Sequence, residues 1–233
     1  MDWAAQNGHL SVMEWLHANR SEGCTTSAMD GAAENGHISV VKWLHANRTE
    51  GCTNRAMDRA ASNNKLNVVE WLHANRSEGC WQAINQASSH GHLSLVKWLH
   101  ANCNEPCGWN AINVAATYGH LSTVEWLHAN RTDSNNGCTY HAMDGAADND
   151  HLDVVEWLHI NRSEGCRRAM HQAAEKGNLR MVEWIHANRS ERWPKMTMNL
   201  AAKGGQLAMV EWLHVNRSEG CTVDAMDWAA KGG

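Results

Sequence analysis

The chain is predicted to be an all-α solenoid of stacked helix-turn-helix repeats, and three observations lead there. A Trp-Leu-His core recurs at Trp15, Trp43, Trp71, Trp98, Trp126, Trp157, Trp184 and Trp212, with Ile185 for Leu once, at intervals of 28, 28, 27, 28, 31, 27 and 28 residues. Self-similarity at such a period marks stacked supersecondary units, none of which can bury its apolar face alone. Within each period apolar residues follow helical spacing, and the period-2 alternation of a strand appears nowhere. Every change of length falls in a connection.

The elements can be justified in order on the repeat from Cys24 to Gly51. Met29, Ala32 and Ala33 keep the i, i+3, i+4 spacing of one helical face, which predicts a short first helix. Gly36 ends it, as a residue free to turn left-handed does at a helix C-terminus. Ile38 to Asn47 predicts a second helix, with Val40, Val41, Trp43 and Leu44 on one apolar stripe and Ser39 and Lys42 facing away. On this stripe Trp43, Trp71, Trp98, Trp126, Trp157 and Trp184 are expected to be largely buried. The stretch from Asn47 to Cys52 is polar and Gly-punctuated and reads as the connection to the next repeat.

The remaining sequence fits this parse. Pro106 and Pro194, the only prolines, fall in connections. The long interval holds an insertion at Thr132 to Asn136, and the two short ones each lose a residue, at Trp81-Gln82 and Arg167-Arg168. The expectation is one array over residues 1–233, about eight repeats with partial units at both ends. Met1 to Ala5 enters mid-repeat and its letters return at Met226 to Ala230, so the chain reads as a piece of a longer array with Trp3 and Trp228 poorly covered.

Composition narrows the function classes. A net charge of −5 and a pI near 6.3 argue against nucleic acid and anionic membrane, which call for clustered Lys and Arg. No apolar run approaches the roughly 20 residues of a membrane span. Cys24, Cys52, Cys80, Cys107, Cys138, Cys166 and Cys221 share one place in the repeat. Stacked helices lie about 8–10 Å apart, too far for the roughly 4.4–6.8 Å of a disulfide. Free, mostly buried thiols in a reducing, intracellular compartment are expected.

The run Ala-Met-Asp-x-Ala-Ala-x-x-Gly-His-Leu-x-Val-Val-x-Trp-Leu, whose core is intact at Ala32 to Val41, resembles the ankyrin repeat and covers essentially the whole chain. Met29 and Asp30 stand where that family has Leu-His, and Trp replaces a core Leu. The repeat is about 28 residues instead of 33. The deficit follows the second helix, so the family's β-hairpin finger is expected to shrink to a tight turn. The resemblance implies an ankyrin-like solenoid, used for protein recognition.

Residues that could carry chemistry are explained by repetition. His17, His45, His73, His100, His128, His159, His186 and His214 occur once per repeat, and zinc ligands must converge to about 2.0–2.3 Å of one ion. His9, His37, His92, His120 and His151 follow the helix-helix turn, and Lys65, Asn178 and Gln206 replace them elsewhere. His100, Cys103 and Cys107 share one loop without a fourth ligand. Asp2, Asp30, Asp58, Asn85, Asn113, Asp144, His171, Asn199 and Asp227 share one position. Exchange of Asp with Asn fits hydrogen bonding between repeats and fits acid-base chemistry poorly. In the ankyrin family the residue at this position helps link neighbouring repeats, and the resemblance implies the same here. Arg20, Arg48, Arg76, Arg131, Arg162, Arg189 and Arg217, each followed two residues on by Glu or Asp, read as solvated turn pairs. No catalytic residues, metal or cofactor are expected.

The function read from this is a non-catalytic scaffold binding a protein partner, with no nucleic acid, membrane or small-molecule substrate. The alternative is a nucleic-acid-binding helical repeat protein, reading one base per unit. Positions that differ most between repeats are those the stack does not need. They cluster at the start of the first helix and along its exposed side, where Gly31, Gly145, Gln172 and Leu200 also stand. Arg55, Arg59, Trp81, Gln86, Trp109, Val114, Tyr118, Tyr140, His141, Arg167 and Arg168 are the expected partner-binding residues, on the concave face. The competing reading folds Trp81 and Trp109 down over shortened turns as packing.

Overall fold

The computed structural model describes residues 1–79, 82–103, 110–130, 138–163, 165–166, 168–189 and 193–232. These form α1 (Asp2–Gln6), α2 (Leu10–Asn19), α3 (Thr26–Asn35), α4 (Ile38–Asn47), α5 (Arg55–Ser62), α6 (Leu66–Asn75), α7 (Ala83–Ser89), α8 (Leu93–Asn102), α9 (Ala111–Thr117), α10 (Leu121–Asn130), α11 (Tyr140–Asp148), α12 (Leu152–Asn161), α13 (Ala169–Lys176), α14 (Leu179–Asn188), α15 (Met196–Lys203), α16 (Leu207–Asn216) and α17 (Asp224–Gly232). Among the described residues there is no strand. The chain groups into two compact bodies, Met1–Ala115 with Ser122–Gly137, and Ala116–Leu121 with Cys138–Gly233.

In the first body α1, α3, α5 and α7 pack in succession, and α3, α5 and α7 each pack on their own second helix. The second body repeats this with α11, α13, α15 and α17. The repeat's core is small residues facing branched ones: Ala28, Ala32 and Ala33 of α3 with Met29, against Val40, Val41 and Leu44 of α4, all buried. Alanine lets the first helices approach closely. The Val and Leu stripe supplies most of the driving force, about 1.5–3 kcal/mol per buried side chain.

The tryptophans depart from expectation. Trp43, Trp71, Trp98, Trp126, Trp157 and Trp184 are half-buried, while the Leu or Ile after each is fully buried. Trp sits on the flank of the stripe, where the indole lies across consecutive second helices. There it meets the edge of the preceding repeat's histidine, as His17 on Trp43 at 5.3 Å and His45 on Trp71 at 5.1 Å, and likewise His159 on Trp184 at 5.3 Å. The repeated Asn closes the same helix by donating its amide to the Trp carbonyl one turn back, as Asn47 does to Trp43 at 2.9 Å.

The turn between the helices needs a left-handed residue. Gly36 supplies it at φ 81°, and the equivalent Asn64 and Asp150 adopt φ 57° and 64°, the two residue types that tolerate this conformation best after glycine. After the second helix Arg48 is extended and Gly51 turns left-handed at φ 72°, so the connection is a compact turn instead of a hairpin finger.

The positions of Gly31 and Gly145 are not an exposed side. Gly31 is buried and Gly145, Gln86, Val114, Gln172 and Leu200 are half-buried; only Arg59 in this series is exposed. A Cβ on Gly31 would lie 3.1 Å from Gln6 Cβ, and one on Gly145 would lie 2.2 Å from Thr117 Oγ1. First helices sit so close that this stripe is their contact. At the start of the chain Trp3 is 80% exposed, while Trp228 in α17 is half-buried.

Candidate functional site

Among the described residues three kinds of coupling recur between successive repeats. In the first, a first-helix carboxylate clasps the entry to the next first helix. Asp30 accepts from Thr53 N at 2.8 Å and from Thr53 Oγ1 at 2.7 Å, and that hydroxyl also accepts from Arg55 N at 3.2 Å as the cap of α5. Asp2 does the same to Thr25, Asp144 accepts from Arg168 N and Ala169 N, and Asn199 both accepts from and donates to Thr222. At these rungs the ladder position is thus a hydrogen-bonding link between repeats, whereas Asn85 donates to Gln82 of its own repeat and its Oδ1 has no partner. Burial pushes the carboxyl of Asp58 up, against the hydrogen bond it accepts from Gln82 N. That N–H favours the ionised form and offsets part of the cost of burial.

The rung at His171 is different, and chemistry explains it. The acceptor and its Thr are 23 residues apart at Asp2, Asp30 and Asn199. Counting the same distance from His171 reaches Pro194, which has no N–H to give. A carboxylate there would lack the N–H and the hydroxyl that Thr25 and Thr53 give to Asp2 and Asp30. His171 is instead half-buried, its Nε2 lacks a hydrogen-bond partner, and burial lowers its pKa, keeping it neutral. The expected outcome is that His171→Asp destabilises the second body by about 1–3 kcal/mol, and that adding Pro194→Thr recovers much of this. Urea denaturation of the two single variants and the double closes the cycle; strict additivity would refute the rung.

The second coupling corrects the view of the Arg–Glu turns as solvated pairs. Arg20 and Glu22 are indeed open, 61% and 71% exposed and 3.8 Å apart. Arg48–Glu50, Arg76–Glu78 and Arg217–Glu219 keep only about a quarter of their side-chain surface exposed, because each guanidinium folds back on the preceding repeat. A Cβ on Gly23 would lie 2.6 Å from Arg48 Nη2, so only glycine leaves room. Arg48 Nη1 approaches His17 Nδ1 at 3.5 Å, Arg76 approaches His45 at 3.4 Å, and Arg189 approaches His159 at 3.2 Å. A guanidinium can only donate, so each imidazole nitrogen accepts. Arg48's hydrogen bonds hold the Glu50 carboxyl down at about 2.

The cysteine lies beside this guanidinium. The six described cysteines are free thiols, but only Cys52 and Cys138 are buried; Cys24, Cys103 and Cys166 are half-buried and Cys221 is exposed, because the turn covers the thiol only in part. Burial pushes Cys52 up to about 11, which leaves it a protonated, unreactive packing group. At the entry to α15 Trp193 takes the cysteine's place and is 2% exposed, the one fully buried tryptophan among the described residues. Its ring lies 6.1 Å from Trp212, edge-on to His186 at 5.7 Å and 4.8 Å beneath the Arg217 guanidinium. Sequence reading passed over it; its occupation of the cysteine slot was the available signal.

The third coupling is at the helix-helix turn. His92 Nε2 donates to Ser62 O at 2.9 Å, Asn178 donates to Asp150 at 2.5 Å, and His37 and His151 cover Gly8 and Gly119. Just before it, ion pairs cross between first helices: Arg59 with Glu34, Lys176 with Asp148 and Lys203 with Glu175, each at 2.6 Å.

The expected partner-binding residues divide accordingly. Arg55, His141, Arg168 and Tyr118 are exposed, and Tyr140 is half-buried with its ring 4.1 Å from that of His141. Arg59 is spent on Glu34, and Gln86 and Val114 are half-buried between helices. Trp81, Trp109 and Arg167 lie outside the described residues, as does Cys107 of the loop group with His100 and Cys103. His100 itself meets Trp126 edge-on at 5.2 Å. Among the described residues no helix is long and apolar enough to cross a membrane.

The family model of ankyrin repeats in three copies matches residues 84–169, and that of ankyrin repeats in many copies matches residues 1–45, 29–73, 57–100 and 170–214. No curated protein matches the chain. The clasped first helices, the left-handed turns and these matches agree, and the chain belongs to the ankyrin repeat family.

Proposed function

We propose that the protein is a non-catalytic scaffold, acting inside the cell, that binds a protein partner on the concave face of one continuous array through the starts of its first helices. Ankyrin repeats are in general protein-interaction modules and typically non-catalytic. One observation carries the choice of face: the recurrent Asp, Thr, Arg, Gly and turn residues are consumed in joining repeats, whereas the first-helix starts vary and keep Arg55, His141 and Arg168 exposed. A surface that varies while its scaffold does not is free to be shaped by a partner.

The test is site-specific photo-crosslinking in cells, with a benzophenone amino acid at Arg55, His141 or Arg168, and at Glu70 or Glu183 on second helices as controls. Adducts from the first-helix positions alone are expected. Adducts only from the controls would overturn the reading.

A further inference from the structure

The same helices treat their cations differently at their two ends. In the second body α11, α13 and α15 pack side by side. Near their C-terminal ends Lys176 and Lys203 are each joined to a carboxylate of the preceding first helix at 2.6 Å. At their starts stand Arg168 and Lys195, preceded in the row by His141, one residue per repeat, all exposed, and among the described residues none makes an ion pair. The row ends at Asp224, whose carboxylate accepts from Thr222 Oγ1 at 2.9 Å. Apolar surface accompanies it: Met196 is 42% exposed, and Tyr140 is half-buried against His141. In a chain of net charge −5, exposed Arg168 and Lys195 on neighbouring first helices, neither ion-paired among the described residues, form a local reversal of sign.

We propose that this row docks an acidic, extended segment of the protein partner, a proposal that rests on the first-helix starts being the binding face. Carboxylates of the segment pair with Arg168 and Lys195, and an apolar side chain beside them covers Met196. Spacing sets the register. Adjacent helices lie about 8–10 Å apart, and a segment in the extended polyproline-II form, with three residues per turn at about 3.1 Å each, returns to the same face after about 9 Å, so the two carboxylates stand three residues apart. The fork of Arg168 favours a bidentate partner over a single oxygen. Such pairs fix register and speed association, and they weaken as salt rises.

The test selects ligands without bias, from random linear peptides displayed on phage, against the full chain. Selected peptides are then fluorescein-labelled and titrated by anisotropy against the wild type, the double charge reversal Arg168→Glu with Lys195→Glu, and His141→Ala with Tyr140→Ala. Both reversed side chains are exposed, and an unchanged thermal midpoint verifies that the fold survives. The expected result is enrichment of Asp or Glu at a spacing of three, and binding at least about tenfold weaker in the charge-reversed protein. Peptides without acidic enrichment whose binding is lost in His141→Ala with Tyr140→Ala would overturn this inference and leave the binding face standing. Peptides indifferent to every one of these changes would overturn both.

Discussion

Trp193→Ala is expected to destabilise the second body by about 3–5 kcal/mol, the loss for emptying a packed tryptophan site. Trp193 is 2% exposed and its ring is enclosed by Trp212, His186 and the Arg217 guanidinium, so the variant forfeits its buried area and a cation–π contact together. Trp98→Ala is expected to cost clearly less. That indole is half-buried, and its specific partner is the edge of His73 at 5.4 Å. Urea denaturation followed by circular dichroism compares the two, and equal shifts of the midpoint would refute the distinction between core and flank. Trp193→Cys, which restores the residue used elsewhere, is expected to fall between them.

Asp30→Ala is expected to cost about 3 kcal/mol, from two hydrogen bonds to a charged acceptor at roughly 1.5–3 kcal/mol each, less the relief of no longer burying a carboxylate. Asp30 is 6% exposed, and its loss leaves Thr53 N–H without its acceptor while loosening the hydroxyl that caps α5. Asp30→Asn keeps one acceptor and mimics Asn199, so it is expected to lose less than half as much. Hydrogen exchange at the Thr53 and Arg55 amides reads the effect directly. Unchanged protection in Asp30→Ala would mean that the rung holds nothing.

The repeat, its two helices, the left-handed turn and the linking role of the Asp position were legible because each leaves a mark within one period. What lay between periods was harder to read. Trp43 and Leu44 are neighbours on one stripe, and only the packing of α4 against its neighbours decides which is the centre and which the flank. Gly31 looked variable because each repeat fills the contact between first helices with a different volume, from Gly31 against Gln6 to a half-buried Val114. Arg48 looked solvated because its cover, Gly23 and His17, belongs to the preceding repeat. The proposed partner face was legible only as variation, which names positions without separating Arg168, left exposed, from Arg59, spent on Glu34.

Apart from the amide that Asn199 donates to Thr222, the couplings reach in one direction. Thr53 reaches back to Asp30, Arg48 to His17, and His92 to Ser62; the later repeat brings the donor and the earlier one already holds the acceptor. During synthesis, with the N-terminal end emerging first, each repeat therefore meets a finished template as it leaves the ribosome and can lock without waiting for sequence still to be made. The array is able to grow in the order in which it is translated, with one unsealed edge at a time instead of a long unfolded chain.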